Sequence, residues 1–262
     1  MSAPSSHPAR IVRILFAVLA ALGLVTGAAA LPAEAAAPPS YFALGDSVAA
    51  GTGGGAFINS CGQTANSYPA LLGAMANLSC FGATTQDVIA HQVPALPSTA
   101  RNVTITVGAN DIGDAQVTAA CATAPGSSAC TQAIDNAIFV LLPQLPAKLD
   151  STIAAVHAKA PRARITLTGY PLLFTVSGLP VALQPTAAQI NAATALLNST
   201  IAVSSLTRGA GYADVTLRFF GHGLGSPDPW INPFVPGDPG SFHPTATGYR
   251  LGYVPSVAPF LR

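Results

Sequence analysis

The chain has 262 residues, half of them hydrophobic, with 23 prolines and 24 glycines. That length supports one loop-rich globular domain with a substantial core. Eleven basic and ten acidic residues leave a formal net charge of +1, which excludes the electrostatic footprint of a nucleic-acid binder and a polybasic patch for anionic lipid.

The first segment reads as a targeting signal. Arg10 and Arg13 precede an apolar run, Ile14 to Val25, and Ala-x-Ala patterns follow at Ala28 to Ala30 and Ala33 to Ala37. A basic start, a short apolar centre and a small-residue end are the parts of a secretory signal peptide, and the run is too short for a comfortable bilayer span. The expectation is a signal peptide over residues 1–37, cleaved somewhere in 30–37, and one secreted domain over 38–262. An uncleaved anchor is the rival reading. No later stretch is apolar for long enough to span a membrane.

The domain opens on a buried strand, Tyr41 to Leu44, which stops at the small polar turn Gly45-Asp46-Ser47. A serine at such a strand end stands above the sheet, where ligands bind in open α/β folds. Taken alone, helix capping is the stronger reading of this Asp-Ser pair. The glycine-rich loop Gly51 to Gly55 lacks the Gly-Lys-Ser/Thr ending of a phosphate loop. Ser67-Tyr68-Pro69 opens a helix, with Leu71, Leu72 and Met75 on one face as a core stripe. Leu78 to Phe81 reads as a short strand, and Thr85 as the cap of a helix through Val88 and Ile89.

Val103 to Val107 is largely β-branched and reads as a central strand, ending at Gly108-Ala109-Asn110-Asp111. Thr131 to Ala160 is mostly helical, interrupted at Pro143 and Pro146. Arg164 to Thr168 is a strand closed by Gly169-Tyr170-Pro171. Thr186 to Arg208 is a helix, Tyr212 to Leu217 a last strand, Phe219 to Phe242 a loop, and Pro244 to Tyr253 a closing helix. Strands alternating with helices imply a parallel sheet in a three-layer α/β domain.

Four cysteines in an exported chain predict disulfides. Three connectivities are possible. Local closure of turn-rich loops favours Cys61–Cys80 and Cys121–Cys130. A zinc site is the rival, but there is no Cys-x-x-Cys pair and the histidines are scattered.

Parallel strands present their carboxyl ends on one edge. The turns Gly45-Asp46-Ser47, Cys80-Phe81-Gly82-Ala83 and Gly108-Ala109-Asn110-Asp111 are therefore expected to be neighbours. Phe242-His243-Pro244 can supply the base they lack, since Pro244 keeps His243 out of helical geometry. A serine attacking an ester needs a neutral imidazole within hydrogen-bond reach. The N–H groups of Ser47 and Gly82 and the Asn110 amide can receive the oxyanion.

These blocks, in this order, resemble the SGNH hydrolases, also called GDSL lipases and esterases, over essentially the whole domain. The resemblance is closest to the secreted actinobacterial lipase/esterase branch. It implies a flavodoxin-like fold, Ser47 as nucleophile, His243 as base, and Ser47, Gly82 and Asn110 as oxyanion donors. Three departures stand out. The aspartate that many members carry three residues before the histidine is Gly240 here. The Gly240 carbonyl is then expected to orient His243, with Asp238 as the alternative. The serine usual between cysteine and glycine in the second block is Phe81. Relatives commonly have a third disulfide in the later half, whereas this chain has no cysteine after Cys130, so the loops around Ser177 and Gly225 are expected to be less tied down.

Asp46 and Asp111 read as supports for neighbouring backbone. His91, His157 and His222 read as surface or structural. Trp230 reads as packing beneath the long loop or as an acyl-pocket wall, and Phe174, Val176 and Leu179 as core or as a contact for a lipid chain. The expected function is a monomeric, secreted serine esterase or lipase acting on small-molecule or lipid esters with hydrophobic acyl chains, without metal or cofactor. A carbohydrate deacetylase or acyltransferase on the same scaffold, or a silent secreted binding module, are the alternatives.

Overall fold

The structure is a computed structural model that describes residues 40–261. The expected signal peptide and its cleavage interval lie outside the described residues.

Five strands form one parallel sheet: β1 (Tyr41–Gly45), β2 (Ala76–Asn77), β3 (Asn102–Thr106), β4 (Arg164–Thr168) and β5 (Gly211–Ala213). Their order is β2-β1-β3-β4-β5, the doubly wound, flavodoxin-like arrangement in which chain direction across the sheet reverses between β1 and β3. The alternation read from the sequence is borne out. In register, Tyr41 lies opposite Asn102 and Gly45 opposite Thr106. Every residue of β1 and β3 is buried, so these strands carry near-continuous apolar or β-branched sequence. Their threonines are satisfied inside the protein: Tyr41 Oη meets Thr104 Oγ1 at 2.9 Å, Tyr68 Oη meets Thr106 Oγ1 at 2.9 Å, and Thr106 Oγ1 meets Thr168 Oγ1 at 2.7 Å.

The helices are α1 (Ser47–Ala50), α2 (Tyr68–Leu71), α3 (Thr85–Asp87), α4 (Asp114–Cys121), α5 (Ser128–Asn136), α6 (Leu145–Lys159), α7 (Gln184–Thr207), α8 (Thr216–Phe219) and α9 (Val254–Val257). Leu145, Leu149, Ile153 and Val156 of α6 and Ile201 of α7 are buried in the main core, as are Tyr68, Tyr249 and Tyr253. Tyr68 and Tyr253 stack with ring centroids 5.2 Å apart. Disulfides join Cys61 to Cys80 and Cys121 to Cys130.

Several local expectations are corrected. The helix after Ser67 lasts one turn, and Leu71 and Met75 are exposed, because Leu72 and Gly73 already close it with bonds to Tyr68 and Ala70. The short strand lies at Ala76–Asn77 rather than Leu78 to Phe81. Thr84, not Thr85, caps α3, in a reciprocal capping box with Asp87. The last strand stops at Ala213, because Asp214 accepts the Thr216 N–H and turns the chain into α8. The closing helix starts at residue 246 rather than at Pro244 and passes through a π-helical stretch, Gly248–Tyr253, before α9.

One glycine sets the geometry of the sheet end. Gly45 has φ 132°, and a Cβ there would lie 2.1 Å from the Thr106 carbonyl oxygen. The Gln92 side chain holds Gly45 from both sides, accepting its N–H at 2.7 Å and donating to its carbonyl at 2.8 Å. Gly45→Ala combines a backbone clash with a disfavoured φ, so it is expected to destabilise by about 3 kcal/mol or more. Urea unfolding checks this; a loss under about 1 kcal/mol would contradict it.

Candidate active site

The end of β1 delivers Ser47 to the point where β1 and β3 diverge. Asp46 is the N-cap of α1, and its carboxylate accepts the Val48 N–H at 3.0 Å. The capping role thus falls to Asp46, and the Ser47 hydroxyl is left for another partner. That partner is His243: Nε2 lies 2.7 Å from Ser47 Oγ. The other ring nitrogen, Nδ1, lies 3.0 Å from the Ser241 carbonyl oxygen. A carbonyl only accepts, so Nδ1 carries the proton and Nε2 presents its lone pair to the serine.

The carbonyl that meets the ring belongs to Ser241, not Gly240. The Gly240 carbonyl instead accepts the backbone N–H of His243 at 3.1 Å. Asp238 does not reach the ring; its carboxylate accepts the Gly240 N–H at 2.8 Å. The reason lies in the turn. Gly240 to His243 form a β-turn whose third residue, Phe242, has φ 61°, and among the described residues it is the sole non-glycine in that region.

Burial holds the His243 imidazole down to about 4, against the opposing pull of the Ser241 carbonyl and the Asp238 charge. It is therefore neutral at pH 7. Burial pushes the Asp46 carboxyl up to about 7, against hydrogen bonds from Tyr170 and Val48, and Asp114 pushes in the same direction as burial.

Two loops face this pair. Asn110 Nδ2 donates to the Ala83 carbonyl at 3.0 Å, and Asp111 accepts the Thr85 N–H at 2.8 Å and its hydroxyl at 2.7 Å. These bonds tie the loop carrying Gly82 to the loop carrying Asn110. Gly82 has φ 78°, with nothing within 4 Å of where a Cβ would stand. Among the described residues, neither the Ser47 N–H nor the Gly82 N–H is donated to a protein acceptor.

Three supporting residues carried no signal in the sequence. Tyr170 donates its hydroxyl to Asp46 and accepts the Ala109 N–H at 3.3 Å. Asn198 grips the Tyr170 backbone from both sides. Asn232 Nδ2 donates to the carbonyls of Gly53 and His243 at 3.0 and 3.1 Å. Trp230 lines neither apolar cavity described below; it packs beneath the loop against Phe219 and His222. His91 and His157 are exposed.

A cavity of about 160 Å³ contains Ser47 and His243 and is walled by Val48, Ile112, Ile134, Leu173, Ile190 and Leu197. A second, of about 370 Å³, shares Leu173, Ile190 and Phe242 with the first and adds Phe174, Leu179 and Phe234. No charged side chain lines the second cavity among the described residues.

Residues 43–251 match the GDSL-like Lipase/Acylhydrolase family. A lipase of Streptomyces rimosus is 36% identical over 246 residues, spanning 90% of this chain and 91% of that protein. The crystal structure of an extracellular lipase from Streptomyces rimosus superposes with a TM-score of 0.80 at 35% identity, covering 84% of this chain and 99% of that one. That of phospholipase A1 from Streptomyces albidoflavus gives 0.80 at 34% identity, covering 85% and 99%. This chain belongs to the GDSL-like lipase/acylhydrolase family and is a carboxylic ester hydrolase.

The Asp46 environment yields a stability test. Asparagine keeps one oxygen for the Val48 N–H and can turn its amide N–H toward the Tyr170 oxygen, whereas alanine leaves both groups unmet. Asp46→Ala is expected to cost about 2–3 kcal/mol, more than Asp46→Asn. The folded Asp46 titrates near 7 and the unfolded near 3.8. Its neutral form favours folding below about 4, and that contribution is lost as pH rises through about 7. Urea titrations should show wild type losing stability relative to Asp46→Asn between those limits, with no further change above; a shift of opposite sign would contradict this placement.

Proposed function

We propose that Ser47 is the nucleophile and His243 the general base of this ester hydrolase, acting through an acyl-enzyme. What carries the reading is the 2.7 Å contact between His243 Nε2 and Ser47 Oγ, with Nδ1 already engaged by the Ser241 carbonyl. As Ser47 Oγ attacks the ester carbonyl carbon, Nε2 takes its proton. The negative oxygen that forms is met by the N–H groups of Ser47 and Gly82 and by the amide N–H of Asn110 not spent on Ala83. Each such donor contributes about 10²–10³ in rate. On collapse, Nε2 returns the proton to the departing alcohol oxygen, leaving the acyl group on Ser47. Water, deprotonated by the same nitrogen, then releases the acid.

The unit is a Ser-His dyad. A backbone carbonyl fixes the imidazole tautomer, and Asp238 acts at one remove by holding Gly240. Asp46 and Asp111 position the serine turn and the oxyanion loops. The acyl chain occupies the first cavity and runs on toward the second, whose lining favours hydrophobic acyl groups over charged ones. All these groups come from one chain, in keeping with a monomer. The enzyme acts outside the cell after export by the signal peptide over 1–37; the similarity to an extracellular lipase supports that location.

Three measurements test this. Across a chain-length series of esters, Ser47→Ala should lower kcat/KM by at least about 10³; activity near wild type would refute the nucleophile, and exclusive deacetylation of acetylated glycans would redirect the substrate class. Second, kcat/KM should stay level as pH falls to about 5 and drop about tenfold per unit below about 4, where Nε2 becomes protonated. Third, Asp238→Asn should change the rate only a few-fold, whereas a loss near ~10⁴ would mark it as a triad aspartate.

A further inference from the structure

From Ser47 to Gln86 the chain has no charged side chain and no histidine, and the same holds from Ile165 to Thr207. Both stretches supply walls or donors of the site. The first also exposes large apolar side chains: Phe57 is 46%, Ile58 65% and Phe81 47% exposed. Such contiguous apolar surface marks an interaction site in a soluble protein.

These side chains are held in place. Phe57 pairs with Thr64 in an antiparallel bridge, and the Ile58 N–H donates to the Gln63 carbonyl at 2.8 Å. The Phe81 N–H donates to the Cys61 carbonyl at 2.9 Å, beside the Cys61–Cys80 disulfide. Gly62 lies beside both side chains: a Cβ on it would lie 3.3 Å from Phe81 Cβ and 3.9 Å from Phe57 Cζ. The patch reaches the site, because the Phe81 ring centroid is 5.9 Å from that of His243.

We propose that Phe57, Ile58 and Phe81 form a docking patch for the surface of an uncharged or zwitterionic lipid aggregate, beside the dyad. Resting on the reading of Ser47 and His243 as the reacting pair, the patch lets an ester pass from the aggregate to Ser47 without crossing bulk water. The occupant follows from charge. The segment has apolar anchors to bury in the acyl boundary but no lysine or arginine to draw it to anionic headgroups.

The test separates docking from chemistry. Protein carrying Ser47→Ala, which leaves lipid intact, is sedimented with phosphatidylcholine vesicles. Adding Phe57→Ser and Ile58→Ser should lower the partition coefficient by about tenfold per side chain, near a hundredfold together. Replacing part of the phosphatidylcholine with phosphatidylserine should leave it within about twofold. Leu206→Ser serves as control: Leu206 is 66% exposed near the end of α7, just before β5 begins, at the sheet edge opposite the site. It should have no effect. With Ser47 intact, Phe57→Ser/Ile58→Ser should keep kcat/KM on a soluble butyrate ester within about twofold while losing about tenfold or more on emulsified long-chain ester. Unchanged vesicle binding in the double variant, equal loss in Leu206→Ser, binding that climbs with phosphatidylserine, or self-association through the patch in place of vesicle binding would each overturn the proposal. Esterase activity surviving in Ser47→Ala would instead refute the catalytic reading, and vesicle binding would still report on the patch.

Discussion

The site depends on a four-residue turn, Gly240 to His243. Its third residue, Phe242, adopts φ 61°, a conformation that costs a non-glycine residue about 1–3 kcal/mol. In exchange the chain doubles back so that the Ser241 carbonyl meets the ring of His243, two residues on. The surroundings hold this turn from several directions. The Phe242 N–H donates to the Asn232 carbonyl and the Asn232 N–H to the His243 carbonyl. The Phe242 ring stacks on Phe234 and meets Phe174 edge-on. Asn232 then ties the turn to Gly53. The histidine is thereby oriented by backbone geometry rather than by a carboxylate, and a neutral carbonyl can do this in a buried site without adding a charge.

The serine side is built on the same economy. At the close of β1, Gly45 packs so tightly on Thr106 that no side chain fits. Asp46 takes the cap of α1, and the Ser47 hydroxyl points to His243 instead of to its own backbone. Tyr170, at the end of β4, braces Asp46 across the sheet edge and is itself gripped by Asn198 of α7. Strand ends β1, β3 and β4 thus converge through short hydrogen bonds at the switch point of the sheet, where open α/β folds bind ligands. Apolar cavities open from that point, and a rigid uncharged loop flanks it.

Much of this was legible in sequence because it rests on local chemistry. Gly45-Asp46-Ser47 is an apolar strand broken by a turn. The β-branched run near Val103 can only be a central strand. The Phe242-His243-Pro244 stretch stands just before the closing helices. What failed to read was set by distance or by backbone angles. Which carbonyl meets His243 depends on the φ of Phe242, and its residue type argues against that value. Tyr170, Asn198, Asn232 and Gln92 act through hydrogen bonds to residues distant in the chain, so no spacing announces them. Leu71 and Met75 have helical spacing, but one turn of helix is too short to bury a stripe. Thr84-x-x-Asp87, by contrast, is a capping pattern that the sequence carries by itself.

On the proposed mechanism His243 acts as a neutral base with its proton on Nδ1, held there by the Ser241 carbonyl. Nitrogen NMR of the imidazole reports this directly in protein labelled at histidine. At pH 6 His243 should show one protonated nitrogen, Nδ1, and one lone-pair nitrogen, Nε2, with the doubly protonated form emerging only near pH 4. A doubly protonated ring at pH 6, or a proton resting on Nε2, would contradict it.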